Sequence, residues 1–183
     1  MKLLLYCTKA KPYLYKTEKP MIEKKFGNYH TQLNKAVLND NCLNGKIVAE
    51  CDFEVEEITN YGTSFMIMKY DDLQESYRYT NEIARGSCLD YTDLRRYLGT
   101  NNGYAIHIKN LHIFDKPREL DFYSSNFDYF KKVEKAPQNM MKVWEDQESP
   151  RVLISIRPEW LCKILNGEKT IEVRKKVLKE MLK

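Results

Sequence analysis

Apolar positions in this chain form short runs and alternations, not long helical stripes. Residues 2–7 (KLLLYC) have the pattern of a buried strand, which ends at Thr8-Lys9-Ala10-Lys11-Pro12. Residues 17–41 are polar and poorly periodic apart from a weak helical phrase over 29–38, which predicts a long loop. After a Leu43-Asn44-Gly45 turn, residues 46–55 alternate. Ile47, Ala49, Cys51 and Phe53 face one way, and Val48, Glu50, Asp52 and Glu54 the other. Gly62 breaks structure, 65–68 is a short apolar run, and 71–83 has the composition of a helix with many tyrosines. Ser87 or Asp90 can cap a helix over 91–98 that turns Leu94, Tyr97 and Leu98 inward and stops at Gly99. A long strand over 104–114 ends before Pro117, 121–135 has no clean period, and 139–144 is a further strand.

The last segment is the most structured by pattern. Val152–Ile156 is apolar and β-branched, and Pro158 suits the first turn of a helix, where its missing N–H would be unpaired anyway. Trp160, Leu161, Ile164 and Leu165 recur at helical spacing, and Gly167 can close the helix in the left-handed region. Residues 170–174 alternate again, with Thr170, Glu172 and Arg174 on one face and Ile171 and Val173 on the other. The unit is strand, helix, glycine turn, strand.

Composition adds bounds. The 183 residues, 43% hydrophobic and 31% charged, describe a folded globular chain and exclude a disordered or fibrous one. No apolar run is long enough to span a bilayer. Lys9 and Lys11 interrupt the apolar start too early for a signal peptide, so the expectation is a cytoplasmic protein. Five scattered cysteines without a CxxC predict reduced thiols and no disulfide framework, and the His and Cys spacings predict no metal site. No cofactor is implied. Residues 1–35 hold eight Lys/Arg against two Glu, and residues 163–183 hold seven against three. If the two ends meet, they make one basic face suited to phosphate.

Gly167-Glu168-Lys169-Thr170-Ile171-Glu172-Val173-Arg174 matches GxKxxExR, and it follows SIRPEW (155–160). In this it resembles the ASCH domain, a branch of the PUA-like superfamily. LLLYCTKAKPYLY, LNGKIVAE, CLDYTDLRRYLG, GYAIHIKNLHIFDKPREL and APQNMMKV resemble further phrases of a bacterial and phage group of that family, so the likeness covers most of the chain. The family order differs, because there the GxKxxExR unit opens the domain and the APQ strand closes it. The resemblance therefore implies an α+β fold: a circularly permuted PUA-like mixed β-barrel of about five to six strands with flanking helices, in one domain over 1–183. In it, 1–144 form the bulk of the barrel, 145–150 join the family's old termini, and 151–183 supply its opening unit. A truncated tandem copy and a swapped dimer are the competing accounts of the order.

The resemblance also places a pocket beside the GxKxxExR turn. Its candidate ligand or nucleic-acid contacts are Ser155, Arg157, Lys169, Glu172, Arg174, Thr8, Lys9, Lys11 and Tyr13, with Lys169 and Glu172 as candidate catalytic groups. A carboxylate accepts from an exocyclic amine, and the cations hold phosphate or carbonyl oxygens. Tyr6, Tyr13 and Trp160 are stacking candidates, though core packing accounts for Trp160 more simply. Some relatives deacylate acetylated cytidine with a threonine nucleophile where this chain has Glu172. Thr170 stands two positions away and does not replace it. Glu50 is a weak match to the family's second acid, His107 faces either the pocket or solvent, and His30 and His112 have no evident partner. The implied function is binding of RNA or a nucleotide-like ligand by a monomer or a swapped dimer. The alternatives are a Lys169-centred hydrolase acting on a modified nucleoside or RNA, and a phage-type protein-interaction module that inhibits a host defence system. The tail 175–183 predicts a short basic helix.

Overall fold

The computed structural model describes residues 1–9, 45–60, 65–67, 82–126, 131–145 and 150–182. The expected loop over 17–41, Lys11, Tyr13, His30, the Gly62 break and most of the 71–83 helix lie outside those residues, as do 146–149 of the expected linker. Contacts divide the chain into two compact units, Met1–Cys51 with Leu111–Asn166 and Asp52–Asn110 with Gly167–Lys183. The segment 151–183 contributes to both, its first strand and helix to one and its last strand to the other.

In the first unit β1 (Lys2–Cys7) runs parallel to β8 (Arg151–Ile156), in register from Lys2↔Arg151 to Cys7↔Ile156. On its other side β1 is antiparallel to the start of β2 (Ile47–Asn60), and β7 (Met140–Val143) is antiparallel to β8. The order β7-β8-β1-β2 puts the two most apolar strands in the middle, where both faces are covered. Leu3, Leu4, Leu5, Val152, Leu153 and Ile154 are all fully buried. Helix α2 (Pro158–Leu165) belongs to this unit and buries Leu161, Cys162, Ile164 and Leu165. A small pair, β5 (Ser124–Asn126) and β6 (Lys131–Lys132), stands apart from the main sheet. Leu4, Tyr6, Ile47, Phe114, Tyr123, Val133, Val143 and Leu153 form the core.

The second unit is built on the remainder of β2. Both β3 (Phe65–Ile67) and β4 (Gly103–Arg118) pair with β2, and β9 (Ile171–Arg174) pairs antiparallel with β4 from Tyr104↔Arg174 to His107↔Ile171. Helix α1 (Tyr91–Leu98) begins where predicted. Asp90 Oδ1 accepts the Asp93 N–H at 2.7 Å, and Gly99, at φ +68°, stops the helix while donating to Arg95 O. Leu94 and Leu98 pack into a core with Ile58, Phe65, Ile83, Ala105, Ile171 and Val173. Asp90→Ala should cost about 1 kcal/mol through loss of the cap, read as a lower urea midpoint at unchanged slope.

The chain is thus α+β, with a mixed sheet and few helices. The expected barrel is not formed: among the described residues the sheet closes on itself in neither unit, and β7 is an edge of the first and β9 an edge of the second. Four further expectations need correction. β2 runs on to Asn60, past the end of its alternation, because its last residues still pair with β3 from Ile58↔Ile67 to Asn60↔Phe65. β4 passes Pro117 and ends at Arg118, since a proline in the last positions of a strand removes little of the ladder. Tyr97 is 39% exposed: the buried stripe of so short a helix is filled by Leu94 and Leu98, and the Tyr97 ring instead meets Lys175 Nζ, 5.5 Å from its centroid. The tail forms a 3-10 turn over Lys179–Leu182 with Met181 buried, not a basic α-helix. Among the described residues no helix is long and apolar enough to cross a membrane.

Candidate functional site

The site starts at a helix end. Asn166 caps α2 by donating back to Cys162 O, and Gly167 follows at φ +75°. A Cβ on Gly167 would meet nothing within 4 Å, so its backbone conformation, not space, requires glycine here. The reversal delivers Lys169 to the threshold of β9. There it is 3% exposed, and Glu172 is 8% exposed. Lys169 Nζ donates to Ser87 O at 2.7 Å and stands 3.3 Å from Glu172 Oε2. On the other side of that carboxylate, Arg174 Nε lies 2.9 Å from Oε1, an ion pair oriented off the hydrogen-bond direction.

One buried carboxylate therefore sits between two cations. Burial pushes the Lys169 ammonium below its ordinary pKa of 10.5, and Glu172 opposes that shift by charge and hydrogen bonding. Glu172 is the group that makes the buried lysine tolerable.

Two more contacts tie this segment to residues 86–88, at the end of the helical segment 82–87. Thr170 N donates to Gly86 O at 2.8 Å, and Cys88 Sγ donates to Glu168 O at 3.3 Å. A Cβ on Gly86 would stand 2.7 Å from Ile171 Cδ1 and 3.0 Å from Thr170 Oγ1, so any side chain there would push Ile171 and Thr170 aside.

Against this seam lies a cleft of ≈ 680 Å³, lined among the described residues by Glu82, Arg85, Gly86, His107, Glu168, Thr170 and Ile171. His107 Nε2 is 2.7 Å from Glu56 Oε2, which fixes the imidazole on the β4 wall. Lys169, Glu172 and Arg174 are not among the lining residues.

The sequence-derived candidates thus separate. Lys169, Glu172 and Arg174 converge within the second unit. Ser155, Arg157, Thr8 and Lys9 belong to the first. Ser155 is buried with its hydroxyl committed to Pro137 O at 2.6 Å, and Thr8 continues the β1–β8 ladder by donating to Ile156 O. Lys9 passes over Gly45, where a Cβ would come within 2.9 Å of its Cε. Arg157, exposed at the start of α2, has Glu159 at 4.0 Å. Trp160 is half-buried, with Lys163 Nζ 5.2 Å from its ring centroid. Glu50 lies 3.7 Å from both Arg151 and His112.

Sequence reasoning passed over Glu82, Arg85, Gly86 and Glu56. No local pattern at 82–87 marks the first three in the sequence. Among the described residues no group of three or more His, Cys, Asp or Glu is placed to hold a metal ion. Comparison with known proteins gives no match to any family model, curated protein or solved structure.

Proposed function

We propose that this chain is a circularly permuted, PUA-like ASCH domain, with its sheet left open, that binds RNA or a nucleotide-like ligand in the cleft beside the 167–174 turn. The observation that carries the reading is the shared wall: Glu168, Thr170 and Ile171 belong both to the GxKxxExR segment and to the cleft lining. A volume of ≈ 680 Å³ falls inside the range of about 300–1,000 Å³ usual for small-molecule sites. The lining offers hydroxyl, carboxylate, imidazole and guanidinium groups, the kinds that address base edges and a phosphate. Arg95, Arg96, Lys175 and Lys176 are exposed on the same unit and supply further cations for a phosphate backbone.

A Lys169-centred hydrolase is less well supported, because the amine is buried and already bonded to Ser87 O and Glu172. Fluorescence anisotropy with short single-stranded and duplex RNA and DNA tests the binding reading. Affinity should fall as salt rises, with a log–log slope of about −0.7 per phosphate contact for single strands. Absence of binding to any nucleic acid or nucleotide at low salt would end this reading. A complex with another protein that persists without nucleic acid would favour the interaction-module alternative.

A further inference from the structure

The cleft and the signature residues are adjacent but not the same set. Lys169 lies behind the wall, with its ammonium on Ser87 O and Glu172. Thr170, the next residue, is exposed and lines the cleft. The wall itself is two strips of backbone held edge to edge, 85–88 and 168–171. They are joined by Thr170 N–Gly86 O, Cys88 Sγ–Glu168 O and Lys169 Nζ–Ser87 O. Gly86 lets them meet, since any side chain there would strike Ile171 and Thr170.

The charge of the cleft is also specific. Its described lining holds one full cation, Arg85, against two carboxylates, Glu82 and Glu168. A third carboxylate, Glu56, stands directly behind His107. A guanidinium can grip one phosphate bidentately. Each further phosphate would enter a field set by these acids, with no second cation among the described lining residues.

We propose that the cleft is a mononucleotide site in which Arg85 takes the single phosphate, His107 and Thr170 meet the nucleoside, and Lys169 is a positioning residue that fixes the wall from behind. This rests on the nucleotide reading above and narrows it. The ligand carries one phosphate and is not a polynucleotide strand, and the residue that distinguishes the signature does not touch it. Glu82 and Glu168 are left to accept from amino or hydroxyl donors of the base and ribose, and their charge opposes any phosphate beyond the first.

The experiment uses the full chain and three titrations: the four nucleoside monophosphates, their triphosphates and a short single-stranded RNA, each followed by amide NMR shifts. The expected order is monophosphate tighter than triphosphate by at least tenfold, with shifts at Arg85, Gly86, His107 and Thr170. Arg85→Ala should weaken the monophosphate at least tenfold at an unchanged melting temperature. Lys169→Met is read separately, by hydrogen exchange without ligand. The Thr170 amide, bonded to Gly86 O, should exchange at least tenfold faster in Lys169→Met and at the native rate in Arg85→Ala.

Lys169→Met should also weaken the monophosphate while leaving the same residues shifted. A directly contacting lysine would change that pattern. RNA or triphosphate binding that equals or exceeds monophosphate binding and ignores Arg85→Ala overturns the proposal while sparing the broader reading. Failure of every nucleotide and of RNA overturns both. Native Thr170 exchange in Lys169→Met removes the positioning role.

Discussion

Glu172→Gln is expected to destabilise the protein by about 3 kcal/mol at neutral pH, the low end of what breaking a buried ion pair costs. The carboxylate lies between Lys169 and Arg174, 3.3 Å from one and 2.9 Å from the other, and the amide would leave a buried lysine and a half-buried arginine without the charge between them. The size of the loss should depend on pH. Burial already holds the Lys169 pKa below its unfolded value of 10.5, and Glu172 is the principal group opposing that. A depressed folded pKa means stability that is present above the unfolded value and lost as pH falls through the folded one.

Without Glu172 the folded pKa drops further, so the deficit of the variant should shrink as pH rises from 7 towards 10, where the amine can lose its proton. Above pH 10 a second group acts with the opposite sign. Burial pushes the Tyr123 hydroxyl up to about 12. The folded state keeps that proton while the unfolded chain loses it, so both proteins lose stability as pH rises from 10 towards 12. Urea melts of wild type and variant at intervals from pH 7 to 10 check this. A deficit that stays constant across that range would show that Lys169 is not the group under strain.

The second large effect lies in the first unit. Arg118 Nη1 donates to Tyr123 Oη at 2.8 Å and to Glu145 Oε1 at 2.9 Å. Its guanidinium lies 4.1 Å from the Phe114 centroid and 4.9 Å from that of Phe122. Arg151 Nη2 holds the other Glu145 oxygen at 3.0 Å. Arg118→Ala removes a partner from Tyr123, which is 0% exposed, and further uncovers Phe122, which is already 52% exposed. Glu145 keeps Arg151, so the expected cost is about 2–3 kcal/mol, mostly from the stranded hydroxyl and the lost stacking.

Tyr123→Phe removes the hydroxyl together with its need for a partner and should cost only about 1 kcal/mol. In the double variant the loss should be smaller than the sum of the two single losses, since the hydroxyl that Arg118→Ala strands is absent. Strict additivity in denaturant melts would mean that Arg118 and Tyr123 act independently.

Where local pattern and burial coincide, the elements were legible before the structure. The β1 expectation matches Lys2–Cys7, the second helix starts at Pro158, and α1 runs from its Asp90 cap to Gly99. Extents were less legible, because a strand end depends on its neighbour. β2 and β4 outrun their clear alternation where each still has a partner to pair with. The candidate site divides in the same way. Lys169, Glu172 and Arg174 were found because their spacing in a turn and one short strand already brings them together. Arg85, Gly86 and Glu56 were not, because their places in the cleft come from helix-to-strand and strand-to-strand contacts more than 50 residues apart.

The amino-acid sequence by itself determined β1, β8, β9 and the two helices α1 and α2, where α1 is capped and stopped, and that a lysine, a glutamate and an arginine would cluster after Gly167. These follow from period, turn chemistry and propensity, which act over a few residues. Only the tertiary structure decided that the lysine faces inward. The sequence shows a charged residue after a turn, which by itself predicts a solvated side chain. The carbonyl of Ser87 and the carboxylate of Glu172 offset the cost of burying it, and Ser87 comes from a distant part of the chain. The cleft has the same origin: in the sequence Gly86 is one small residue with no marked role, and it becomes a wall of a site only because Thr170 and Ile171 pack against it.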